Sequence, residues 1–213
     1  SGDEVLRARA LGVGAIMLSP MPGGGLGGDP RRFVSTLSEA VHYSRRADPD
    51  TRVSLHRFLA TAQAGLGSER GFRQATGVAD GLADRVGAGH GGGWLAGHFA
   101  RARDGQARDR NVGIGLLLLR RPEPALEAFT QALAGPRQRS ERVAMLVDMA
   151  AARVLLGQPE EACAGLHQAL DLVERVGFGM GVQRVLGVRA GFPPEWAALA
   201  CVRDLDARLR PPA

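Results

Sequence analysis

The sequence predicts an all-α chain: a right-handed α-solenoid of stacked antiparallel helix pairs, closed by a C-terminal capping helix and occupying residues 1–213 as one domain. Three observations predict it. Leu117–Leu133 (LLLRRPEPALEAFTQAL) and Val154–Leu170 (VLLGQPEEACAGLHQAL) align without a gap at a spacing of 37 residues, with eight identities in seventeen positions. A period in the thirties marks stacked helix pairs. A pattern of helix stop, turn and helix start recurs near residues 28, 67, 120 and 157. Between those turns the apolar residues keep a three-and-four rhythm, and no alternation of strand type survives a count.

The turns justify the helix ends. Gly28, Gly67 and Gly157 suit the left-handed residue that stops a helix, and Arg120 stands in that place in the third turn. Asp29 and Ser68 suit the N-cap, and Pro30, Pro122 and Pro159 suit the first turn, where a missing N–H costs nothing. The intervals between turns are 39, 53 and 37 residues, so the long middle interval holds an insertion at 87–105. Helices are predicted near 3–18, 30–46, 51–66, 69–86, 94–103, 106–120, 122–134, 139–156, 159–175 and 195–209. The stretch 178–188 is a short extra. Ala125, Ala132, Ala162 and Ala169 recur at seven-residue spacing in the second helices, where small side chains admit a close neighbour. Pro193-Pro194 breaks the chain before the capping helix, 195–209.

Composition excludes several classes. Net charge is +5 and all 27 basic residues are Arg, scattered rather than blocked, which argues against a nucleic-acid face. No run of about 18 apolar residues occurs, so no membrane span is expected. Cys163 and Cys201 are too few for a disulfide scaffold and read as free thiols of a cytoplasmic protein.

The chemical motifs are weak. Gly23–Gly28 satisfies GxGxxG after a candidate strand at 14–18, but no second strand or terminal acid follows, so a glycine-rich loop is the better reading. His90, Trp94, His98 and Phe99 lie in the insertion without metal-ligand spacing. Cys163 and His167 stand one helical turn apart, with no sign of an activating environment. Neither a metal, a cofactor nor enzymatic activity is expected.

The repeats resemble tetratricopeptide (TPR) repeats, with a small residue early in the second helix, a large one four later, then Ala-Leu. Arg139–Arg210 is similar to the C-terminal repeat domain of actinobacterial helix-turn-helix (XRE-type) transcriptional regulators, on the run ERVAMLVDMAAARVLLGQPEEACAGLHQALDLVERVG, then QRVLGVRAGF and VRDLDARLR. GDPRRF, HRFLATAQAGLGSERGFRQA and LLLLRRPEPALEAF carry the likeness upstream. The chain departs from the pattern at Ser19–Asp29, at Phe72 and Thr76, and at Arg120. The resemblance implies a sensing or dimerising module that meets DNA only through an N-terminal domain outside this chain. A stand-alone interaction scaffold is the alternative, and a recruited biosynthetic enzyme a third.

The surface expected to matter is the inner face of the first helix of each pair. It carries Ser54, Arg57 and Thr61, then Arg110, Ile114 and Leu117, then Ala144, Val147 and Ala151. Trp94 and His98 join it from the insertion. A peptide, small molecule or protein would lie there, with a carboxylate on Arg57 and Arg110 and an apolar part beyond, unless the terminal helix fills the groove.

Overall fold

The computed structural model describes residues 2–17, 29–85, 105–135, 138–176 and 179–210. Those residues form ten α-helices and no strand. They are α1 (Gly2–Met17), α2 (Pro30–Tyr43), α3 (Pro49–Gly65), α4 (Glu69–Asp84), α5 (Gly105–Leu118), α6 (Pro122–Leu133), α7 (Arg139–Leu155), α8 (Pro159–Val176), α9 (Gly179–Ala190) and α10 (Ala200–Leu209). Short 3-10 turns lie at Ser44–Arg46 and Pro194–Ala198.

Neighbours pack as pairs: α1 with α2, α3 with α4, α5 with α6, α7 with α8. First helices also touch along the chain, α1 with α3, α3 with α5, α5 with α7 and α7 with α9. The core follows this order as a row of clusters. Phe33, Leu37 and Leu55 hold the first, Phe72 and Ala75 the next, Phe129 and Met145 a third, and Leu166, Val185 and Leu205 the last.

One turn is built three times. Gly67, Arg120 and Gly157 have φ of 73°, 59° and 70°. The following amides, of Ser68, Arg121 and Gln158, donate to the carbonyls of Gln63, Leu116 and Arg153 at 2.9, 2.9 and 3.0 Å. The left-handed residues themselves donate to Ala64, Leu117 and Val154 at 2.8, 3.0 and 3.1 Å. This is a Schellman-type C-cap, which satisfies the last carbonyls of one helix. The next helix begins two residues on, and its first internal bonds run from Phe72, Ala125 and Ala162 back to Ser68, Arg121 and Gln158. At the first turn Asp29 caps α2, accepting from the Arg31 amide at 2.9 Å, while Gly28 lies outside the described residues.

The expected small positions are filled as predicted: Ala125, Ala132, Ala162 and Ala169 are fully buried. The large Phe72 is accommodated by removing bulk opposite it. A Cβ on Gly115 of α5 would stand 2.2 Å from Phe72 Cε2, and one on Gly113 would stand 2.7 Å from Phe129 Cε1. Two phenyl rings from α4 and α6 thus lie directly on the α5 backbone.

Three expectations change. The helix expected from 51 begins at Pro49, because Asp48 caps it and accepts from the Thr51 amide at 2.9 Å. Where a short extra was expected at 178–188, a full helix, α9, runs from Gly179 to Ala190. The single helix expected at 195–209 is broken at Leu199, which is extended. On a straight helix Trp196 and Leu205 would lie about 180° apart, at 100° per residue. The break lets Trp196 meet Phe192 edge-on at 5.2 Å while Val202 and Leu205 enter the α8 core.

Replacing an exposed helical glycine by alanine ordinarily stabilises by about 1 kcal/mol. Gly115→Ala should instead destabilise by about 1–2 kcal/mol, because overpacking outweighs propensity. Phe72→Leu in the same chain should recover part of that loss, read by urea denaturation. At Arg120 the sign reverses. Arg120→Gly should stabilise by about 1 kcal/mol through relief of the left-handed conformation, read as a raised Tm.

Candidate functional site

The 37-residue period places corresponding residues of α5, α7 and α9 side by side. One row is Arg110, Val147 and Arg184; another is Ile114, Ala151 and Val188; a third is Leu117, Val154 and Gly191. α7 touches both α5 and α9, and residues of the second and third rows line one cavity.

Two half-buried arginines of the first row flank a buried charge. Asp148, beside Val147 on α7, is fully buried and accepts from Arg184 Nη2 at 2.5 Å. Burial pushes the Asp148 carboxyl above its ordinary value, opposed by the guanidiniums of Arg184 and Arg110. Arg110, expected to meet an outside carboxylate, therefore lies in the field of an internal one. Sequence reasoning missed Asp148 and Arg184, which are 36 residues apart and carry no motif.

The lower rows open into a cavity of about 310 Å³. Leu117 and Arg120 line it from the α5 end, Ala151 and Val154 from α7, and Val188 and Gly191 from the α9 end. Along α5 the cavity begins about 10 Å from Arg110, at 1.5 Å per residue. Among the described residues Arg120 is the only charged one lining it, and the other side chains there are apolar. Arg120 is exposed, and among the described residues its side chain has neither an ion pair nor a hydrogen bond. Its neighbour Arg121 is instead tied to Glu69 at 2.7 Å.

Three helix C-termini end near this rim, and their poles oppose an anion by about 0.3–1 kcal/mol each at an exposed site. Caps already occupy the carbonyls of Leu116, Leu117, Arg153, Val154, Val188 and Arg189. A charge-assisted hydrogen bond to a guanidinium contributes about 1.5–3 kcal/mol. Contact with Arg120 therefore outweighs any single pole and tolerates one negative charge better than two.

The other expected residues divide. Ser54, Arg57 and Thr61 of α3 are buried, at 4–6% exposure, and Thr61 Oγ1 donates to the Arg57 carbonyl at 3.3 Å. Ile114 and Val147 are buried, and Arg110 is half-buried. Trp94 and His98 lie outside the described residues, as do the GxGxxG stretch and the expected helix 94–103. Residues 14–17, considered as a strand before those glycines, are the end of α1. The terminal helix does not lie on the α5–α7–α9 face: α10 packs on α8, with Arg208 reaching Asp171 at 2.6 Å and Glu174 at 2.9 Å.

The cysteines, separated by 38 positions, meet. Cys201 of α10 packs on the cluster holding Cys163 of α8. Burial, with Cys201 beside it, pushes the Cys163 thiol up to about 12, so it is not a ready nucleophile toward His167. Among the described residues no cluster of three metal-ligating side chains occurs, and no helix is long and apolar enough to cross a membrane.

Replacing one member of a buried ion pair costs about 3–5 kcal/mol. Asp148→Ala should lower stability by that amount in urea denaturation, whereas Asp148→Leu combined with Arg184→Met should cost much less.

No family model matches the sequence, and no curated protein or solved structure matches it.

Proposed function

We propose that this chain is a TPR-like α-solenoid that senses a ligand or partner within a transcriptional regulator, its DNA-binding helix-turn-helix lying outside this chain. The observation that carries the reading is the cleft shared by α5, α7 and α9. A molecule seated there touches α5, α7 and α9 together, so it can favour one curvature of the stack over another. Differential affinity for two curvatures would bias the attached DNA-binding heads, and linkage makes the effect reciprocal. The repeated left-handed caps and the contacts between first helices support the solenoid part of the reading. The likeness of Arg139–Arg210 to helix-turn-helix regulators supports the regulatory part.

A stand-alone scaffold is favoured by one feature of α9, where Met180 and Leu186 are exposed at 71% and 39%. Apolar side chains left exposed on one helix suit a protein partner or a second copy of the chain. Two measurements separate the readings. The reading frame upstream of Ser1 should encode a helix-turn-helix; a frame without one removes the regulatory version. A thermal-shift screen of small molecules and short peptides should raise Tm with one compound class, by about 2.7 kcal/mol of added stability at a hundredfold excess over Kd. A flat screen leaves the scaffold ahead.

A further inference from the structure

We infer that the α5–α7–α9 cavity takes a small amphipathic monocarboxylate, its apolar body between Leu117, Val154 and Gly191 and its carboxylate on the Arg120 guanidinium. This rests on the ligand-sensing reading and names the ligand's chemistry. Three observations converge on Arg120. It adopts a left-handed backbone, φ 59°, at a position that the two equivalent turns give to glycine. Among the described residues it is the only charged one lining a cleft whose other side chains are apolar. Its side chain is unengaged among the described residues, while the adjacent Arg121 is held by Glu69. A strained arginine with no internal use suits an external partner better than a stabilising role.

The ligand class follows from shape and charge. A volume of about 310 Å³ is at the low end of ligand pockets, which run from about 300 to 1,000 Å³, so a medium-length aliphatic tail fits and a long one does not. Neither lining row supplies a polar partner along the tail, since Ala151, Val154, Val188 and Gly191 offer only carbon and capped backbone. The head must be an acceptor, because guanidinium only donates, and its planar fork matches a carboxylate with two parallel bonds. The three helix C-termini around the rim select a single negative charge over a phosphate dianion.

Calorimetric titration of the full chain with decanoate tests this, with decanol and decyl phosphate as head-group controls. Decanoate should bind, decanol at least tenfold more weakly, and decyl phosphate no better than decanoate. Arg120→Gly should weaken decanoate about tenfold, leave decanol unchanged, and raise Tm, so the loss cannot be ascribed to unfolding. Ala151→Phe, which fills the cavity and keeps Arg120, should weaken both. Equal binding of decanoate to the wild-type chain and to Arg120→Gly overturns the assignment, as does absent binding of decanoate. If decanoate fails while another compound class binds in a way that Ala151→Phe abolishes, the ligand class is wrong and the sensing reading stands. If nothing binds the cleft, both fall.

Discussion

Three of the described helix pairs are joined by one backbone event, a single left-handed residue followed two positions later by the first residue of the next helix. It appears at Gly67, Arg120 and Gly157 with the same two hydrogen bonds. The event fixes the direction in which the second helix returns, and with it the face that each helix turns inward. Glycine is favoured there for conformation and not for space. A Cβ at Gly67 or Gly157 would meet no heavy atom within 4 Å. Arg120 can therefore occupy the position at a conformational cost of about 1–2 kcal/mol, with no steric conflict. The geometry of the turn survives the substitution, so its hydrogen bonds dominate the preference of the residue.

A second constraint is the way contact between pairs is shared out. Where one helix carries a large side chain, the facing backbone gives up its Cβ. Phe72 against Gly115 and Phe129 against Gly113 are the clearest cases, and both glycines belong to α5. That helix is closely approached by Phe72 from the preceding pair and by Phe129 from its own partner, α6. Its own amphipathicity is nearly lost as a result, so its placement depends on its neighbours more than on its pattern. Farther along, α7 meets α9 through Asp148 and Arg184 rather than through carbon alone. A buried ion pair is a poor source of net stability. Its use here is better read as register. Sliding α9 along α7 would leave a fully buried carboxylate without its guanidinium, while the surrounding alanines and valines would tolerate the slip.

These two constraints explain what could be read from sequence. Caps and turns are local, so Asp29, Ser68, Pro122 and Pro159 announce themselves, as does the row of buried alanines in α6 and α8. The rows that the period aligns can be written from the sequence too, Ile114 and Val147 among them. Pairings across the stack were not. Nothing near Gly115 points to Phe72, and nothing near Asp148 points to Arg184. Cys163 and Cys201 look unrelated until α10 lies on α8. The break at Leu199 was hidden for a different reason. Its flanking residues have ordinary helix propensity, and only the need to bury Trp196 and Leu205 on one side rules out a straight helix.

The cavity itself is a consequence of the repeat. At one position of the period the side chains run Leu117, Val154, Gly191, each smaller than the last, and all three line the opening. Had the third copy kept a leucine, the wall of α9 would close against α7 and the stack would continue as a filled core. The helix α9 instead keeps Val185 and Val188 to hold it against α7 and α8 and yields the end of its last turn to space. Arg120 stands at the mouth of that space through the same logic, since the next copies place Gly157 and Pro194 in its position. A site here thus needs no added element. Graded loss of bulk along one row makes the volume, and one departure from glycine at the adjoining turn supplies the charge.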